Sequence, residues 1–353
     1  ELAAEVDEKI VKQFPKTDGA LRAFNQLAAL QQAQFSQSAE AIKTYERLND
    51  EYPYAADAPS NQSAIMNAYA QLNKADKVRK EVRRLIDLYS PNGVWAQKNT
   101  GNQRVLDRAF EVVEEELAKL VTEQHRAAQQ TKLKETYLLA RDIYKEYLDK
   151  FTATDNAYRF QFFYAEILYE LKEFEAAAKS YVAAVKQNPS GEFSKPASYT
   201  AVLAWEKVIS GEKEEVSQKI VEGKRGKSKG ALKKLEELET LEKGKRYDAT
   251  ELVANEQELA NACDLFVEVA PDDAEVVKVK FKSARLYYIH NQFEEAAKRF
   301  GEIIDRWPKD ALARSAAESI LQSFNVREDW SQLQIWSRKF RDHELLMADK
   351  TFQ

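Results

Sequence analysis

The feature that most constrains this chain is a spacing that returns. A small residue is followed four positions later by an aromatic or apolar one and closed by proline twelve positions on, at intervals of 37 residues. The clearest copies are Ala177-Tyr181-Pro189 and Ala296-Phe300-Pro308, with a third at Ala41-Tyr45-Pro53. Repeats of this length point to a helical solenoid, because a unit this small cannot bury its own apolar face and must cover it with a neighbour. Proline closes the unit because it has no N–H with which to continue a helix.

Taking the small residue of each second helix as a phase marker gives Ala4, Ala41, Val78, Ala140, Ala177, Leu259, Ala296 and Leu333. Two of the intervals, 62 and 82, exceed the period and predict insertions. The implied organisation is a set of N-terminal units over 1–90, the first of them truncated, and an irregular insertion over 91–115. Central units follow over 116–209, then a charged insertion with helical arms over 210–254, and C-terminal units over 255–353. Composition agrees: SPNGVWAQKNTGN is rich in turn residues, and half of the ten glycines fall between Ser210 and Gly244. Within a unit, Phe163, Ile167, Phe174, Ala177, Tyr181, Ala184 and Val185 recur at helical spacing and lay one apolar stripe on each of two antiparallel helices. The register predicts that Trp330 and Trp336 lie in a second helix and pack against a following unit, leaving an apolar patch where that unit is missing.

Residue usage narrows the function classes. The 353 residues are 44% hydrophobic and 31% charged, with few glycines and prolines, so the expected class is all-α. No apolar run is long enough to cross a bilayer. A formal charge of -5 gives no whole-protein argument for nucleic acid. The single cysteine, Cys263, excludes an internal disulfide, and its place four residues after a marker predicts a buried side chain rather than a nucleophile. The three histidines, His125, His290 and His343, are far apart, so neither convergent acid–base chemistry nor helical metal-ligand spacing is present, and no metal or cofactor is expected. His290 is expected in the tight turn between two helices.

One stretch looks like a phosphate loop, Gly226-Lys227-Ser228, but the glycine that the motif needs five positions earlier is Val221. The cations there, including Lys224, Arg225, Lys227 and Lys229, form either a solvated loop or a contact for an acidic protein partner. No aromatic is present to stack a base, which argues against nucleic acid.

At these marker positions the chain resembles the tetratricopeptide repeat (TPR) family. The match is carried by Ala165, Tyr169, Phe174, Ala177, Tyr181, Ala184 and Pro189, and again by Ala284, Tyr287, Phe293, Ala296, Phe300 and Pro308. It departs in its 37-residue spacing, against about 34 in the family, and in lacking most of the first-helix tryptophan and glycine. The resemblance implies a right-handed superhelical solenoid with two insertions, acting as a non-enzymatic scaffold for protein or peptide partners. It places Phe162, Glu166, Tyr169 and Glu170, and in a later unit Phe281, Arg285 and Tyr288, on a concave groove. Two readings stand for those aromatics: anchoring of a bound peptide, or packing between helices. The family's carboxylate clamp is not met, since Leu30, Glu166 and Arg285 hold its asparagine positions and only Asn67 fits. Long units ending in an aromatic and proline are similar to bacterial envelope TPR proteins: the β-barrel assembly lipoprotein, the Tol-Pal coordinator and gliding-machinery proteins. That likeness implies a periplasmic or outer-membrane-associated setting, with the cytoplasm as the alternative.

Overall fold

A computed structural model describes residues 17–33, 37–72, 74–91, 93–223 and 248–343, together with Lys9 and Leu346. The truncated first unit read over 1–15 and the run from Lys224 to Lys229 lie outside the described residues, apart from Lys9. Among the described residues there are fifteen helices and no strand. By packing, the chain divides into two compact units, Glu1–Ala157 and Tyr158–Gln353.

The first unit holds α1 (Asp18–Ala33), α2 (Ser38–Glu51), α3 (Ala58–Gln71), α4 (Ala75–Tyr89), the short α5 (Val94–Lys98), α6 (Gln103–Thr131) and α7 (Lys134–Lys150). The second holds α8 (Asp155–Glu170), which begins at the boundary, then α9 (Phe174–Gln187), α10 (Ser194–Gly223) and α11 (Ala254–Val269). It continues through α12 (Val276–Ile289), α13 (Phe293–Arg306), α14 (Ala311–Val326) and α15 (Trp330–Arg341). Consecutive helices pack against one another from α1 to α5, from α6 to α7 and from α9 to α15, and α8 meets α9 through the Tyr181–Glu166 hydrogen bond, so the repeat is a helical hairpin.

Proline position explains where the second helices stop. Tyr52, Ser90, Asn188, Ala270 and Trp307 are the C-caps of α2, α4, α9, α11 and α13, and each is followed directly by one of the five unit-closing prolines. Their ψ angles run from 56° to 158°, outside the helical region. A residue before proline is driven there by collision with the proline ring, so helix end and turn have one steric cause.

The turn inside a hairpin repeats as well. Lys172, Asn291 and Glu328 are left-handed, with φ of 62°, 58° and 57°, each five residues before a marker. In each, the next residue's N–H reaches five positions back: Glu173 to Leu168 O at 2.9 Å, Gln292 to Tyr287 O at 2.9 Å and Asp329 to Phe324 O at 3.0 Å. This bond satisfies a carbonyl that the helix end leaves open.

Small residues at the markers let the helices approach, since Ala41, Ala140, Ala177 and Ala296 are all buried. The side chains four positions on, Tyr45, Val82, Tyr144, Tyr181, Cys263 and Phe300, are buried too. Truncating a ring such as Phe300 to alanine costs about 3–5 kcal/mol in a core of this kind. Two markers depart: Val78 and Leu333 are half-buried. In α4 the buried stripe is Val82, Leu85, Ile86 and Tyr89.

The region 91–115 is not irregular throughout, as its turn residues had implied. Asn102 caps α6, its side chain accepting from the Val105 N–H at 3.3 Å, and the 29-residue helix starts at Gln103. Part of the excess length is therefore a long first helix. Similarly, α10 runs 30 residues without a break, to Gly223 inside the charged insertion expected over 210–254. Trp336 also departs from expectation, because it packs back onto α13 instead of waiting for a later unit. Gly301 supplies the seat: a Cβ there would lie 2.8 Å from the indole. Trp330, in contrast, is exposed.

Candidate binding surfaces

The groove residues of α8 are held by α9 and by the turn that follows it. Phe162 stacks on Phe193 with ring centroids 4.7 Å apart and planes at 14°, and its ring also lies 5.8 Å from Tyr181. Glu166 accepts the Tyr181 hydroxyl, and Tyr169 meets Phe174 edge-on at 5.1 Å. Glu170 is exposed. Burial, reinforced by the Glu166 carboxylate, pushes the Tyr181 phenol far up from its ordinary value. In α12 the pattern returns. Phe281 lies 5.1 Å from Phe300, and Tyr288 meets Phe293 and Phe300 and donates to Gln322 Oε1 at 3.2 Å, while Arg285 is exposed. The aromatics of both sets are half-buried and pack within the array, while Glu170 and Arg285 are exposed.

A different surface gathers exposed apolar side chains. In the first unit the C-terminal ends of α2 and α4, the turn at Pro53-Tyr54 and the start of α5 surround a recess of about 460 Å³. Tyr54, Leu88 and Val94 line it while remaining 49%, 44% and 60% exposed, and Tyr89 and Trp95 form buried walls. The walls are pinned: Trp95 Nε1 donates to Ala55 O at 2.9 Å, Asn99 Nδ2 donates to Tyr54 O at 3.2 Å, and Tyr89 meets Trp95 edge-on at 5.7 Å. Burial pushes the Tyr89 phenol up to about 12. Asn49, Asp50, Arg84 and Asp87 supply the polar lining. Sequence reasoning passed over this site because Val94 and Trp95 sit inside a turn-rich stretch. Two large apolar residues amid Asn, Gly and Ser were the available signal.

The second unit has a smaller, charged depression between α11, α12 and α13. Arg299 dominates it, donating to Asp264 Oδ1 at 2.7 Å, Ser283 Oγ at 2.7 Å and Glu295 Oε1 at 2.9 Å, with its guanidinium 4.5 Å from the centre of the Tyr287 ring. Lys280 pairs with Glu302. These charges tie three helices together.

Cys263, His125 and His290 are each held by burial or by hydrogen bonds within the fold. Cys263 is fully buried, and burial pushes its thiol up to about 12, so it carries no thiolate at neutral pH. His125 Nδ1 hydrogen-bonds Tyr144 Oη at 2.9 Å, and burial lowers its pKa. His290 caps α12 in the expected turn, with Nε2 2.7 Å from Glu256 Oε2 and Nδ1 2.9 Å from Thr250 Oγ1. Among the described residues no group of three or more His, Cys, Asp or Glu could hold a metal ion, and no helix is long and apolar enough to cross a membrane.

The fold defines a class, an all-helical array of TPR-like hairpins. Solved structures similar to this chain include the C-terminal part of a TPR repeat-containing protein from Cytophaga hutchinsonii, at 13% identity and a TM-score of 0.31, covering 84% of this chain and 98% of that one. The TPR domain of P58(IPK) is similar at 14% identity and a TM-score of 0.23, covering 89% of this chain and 90% of that one. No protein-family model and no curated protein matches the chain.

Proposed function

We propose that this chain is a non-enzymatic scaffold that binds segments of other proteins. The observation that carries the reading is the clustering of apolar exposure. Of the nine large hydrophobic side chains exposed among the described residues, three, Tyr54, Leu88 and Val94, meet at one recess. Scattered exposed hydrophobics are ordinary, whereas a cluster beside polar groups marks an interaction site. His125, His290 and Cys263 argue the same way, since each is committed to packing or to a structural hydrogen bond. An envelope setting is part of the proposal and rests on the likeness of the long units to envelope repeats; fractionation that finds the protein in the cytoplasm would remove it.

The test is cross-linking mass spectrometry in the protein's own cells. Wild type is compared with a Leu88→Ser/Val94→Ser variant, a Glu170→Lys/Arg285→Glu variant and a deletion of residues 224–247. Loss of a specific partner set in either surface variant, with circular dichroism unchanged, is the expected result. Partners kept by both and lost only on the deletion would overturn the surface reading and move binding to the 210–254 insertion, with the chain as a structural spacer.

A further inference from the structure

We infer that the recess between α2, α4 and α5 is a pocket for one large apolar side chain of a partner segment, and that its acidic lip selects segments carrying lysine or arginine beside that side chain. This inference rests on the scaffold reading and adds the chemistry of the partner.

Size comes first. A space of about 460 Å³ lies at the small end of ligand pockets, enough for a tryptophan, phenylalanine or leucine side chain and its backbone and too small for a folded element. Its walls are already ordered by the hydrogen bonds of Trp95 and Asn99 across to the Pro53-Tyr54 turn, so a guest does not have to organise them.

Charge comes second. Asp50 keeps 73% of its side chain exposed, and Asp87 is exposed with no cationic partner among the described residues. Arg84 stands 3.6 Å from Asp50, but its guanidinium is also 3.9 Å from the buried Glu81, so one cation serves two acids. Lys98 lies 6.0 Å from the centre of the Tyr54 ring. Two carboxylates, Asp50 and Asp87, thus line the recess with one lining cation, Arg84, and a basic residue entering beside Asp87 completes the balance.

A third observation concerns the lining itself. Asn49 is 6% exposed, and its Nδ2 makes a long 3.5 Å hydrogen bond to Gln62 Oε1, while its Oδ1 is buried with no hydrogen-bond partner. A buried acceptor left open costs stability, so this wall carries a polar atom that the fold itself does not satisfy.

The experiment is selection of a random peptide library on the intact chain, followed by calorimetric titration of the enriched peptides. Enriched sequences are expected to share a large apolar residue flanked by lysine or arginine. Val94→Glu should weaken their binding by about tenfold or more without changing the melting temperature, as loss of a central anchor does. Asp50→Asn/Asp87→Asn should keep the apolar preference and abolish the basic one. Peptides that bind Val94→Glu normally but are lost on Glu170→Lys/Arg285→Glu would overturn the recess and leave the scaffold reading standing. Absence of enrichment on every variant would overturn both. A concentration-dependent dimer in sedimentation velocity, abolished by Val94→Glu, would assign the recess to a second copy of the chain and overturn the peptide pocket.

Discussion

The Tyr181 hydroxyl donates to the Glu166 carboxylate, so an acid that the repeat register places on a ligand-facing groove is also the partner of a fully buried phenol. A buried donor deprived of its acceptor pays its desolvation cost without return, about 1–3 kcal/mol. Glu166→Ala should therefore lower the unfolding free energy by that amount in urea titration. Glu170→Ala, one position short of the next turn and exposed, should change it by no more than about 0.5 kcal/mol. Equal effects would show that the bond contributes nothing to the fold.

Several tyrosines give the molecule an alkaline limit. Burial raises Tyr45 and Tyr147 as well as Tyr181, and pushes Tyr89 up to about 12 from 10.0. A group whose folded pKa is raised contributes stability that is whole below the unfolded pKa and is lost as pH climbs toward the folded one. The urea midpoint should hold through neutral pH and fall once pH passes 10.0, the ordinary tyrosine value. Absorbance of tyrosinate should show the exposed phenols titrating first and the buried ones only with unfolding. A midpoint that is flat to pH 11 would contradict this.

Proline and alanine made the hairpins legible before any coordinates. Both act locally, one by forbidding helix and the other by permitting close approach, so their spacing carries the architecture. Outside the hairpin marked by His290 the inner turn was hidden, because Lys172 and Glu328 adopt left-handed backbone where glycine would have announced it. The groove aromatics were found, yet their role was not, because Phe162 is claimed by Phe193, a ring in a turn that follows the next helix. Helical spacing reports which residues share a face of one helix. It cannot report what another element brings to that face, and for the same reason the recess around Val94 and Trp95 went unseen.

That hidden turn carries its own prediction. Left-handed backbone costs a side chain with a Cβ about 1–2 kcal/mol relative to right-handed, and glycine about nothing. Glu328, at φ 57°, is held there by the turn between α14 and α15. Glu328→Gly should raise the unfolding free energy by about 1 kcal/mol, less the added freedom of glycine in the unfolded chain. Glu328→Val should lower it, since a β-branched residue fits this region worst. Urea titration of the three proteins should order them Gly, Glu, Val.

His290 ties the last residues of the second insertion to the array. Its carbonyl accepts the Thr250 N–H at 2.9 Å, its ring bridges Glu256 and Thr250, Gln292 Nε2 donates to Thr250 O at 2.7 Å and Asn291 Nδ2 donates to Asp248 O at 3.2 Å. The imidazole and the Glu256 carboxylate are 17% and 10% exposed, so removing the ring leaves a largely buried acid with little more than the Val253 N–H at 3.3 Å. His290→Ala keeps the backbone bond to Thr250 but deletes both ring contacts. Amide exchange at Thr250 should accelerate by about tenfold, the equivalent of about 1.4 kcal/mol in local opening, while amides in α8 and α9 keep their rates. Gln292→Ala should add to the effect because it releases the carbonyl of the same residue. If Thr250 exchanges at an unchanged rate in the double variant, the strap is held by something other than this turn, and the chain's return from the insertion is not set by His290.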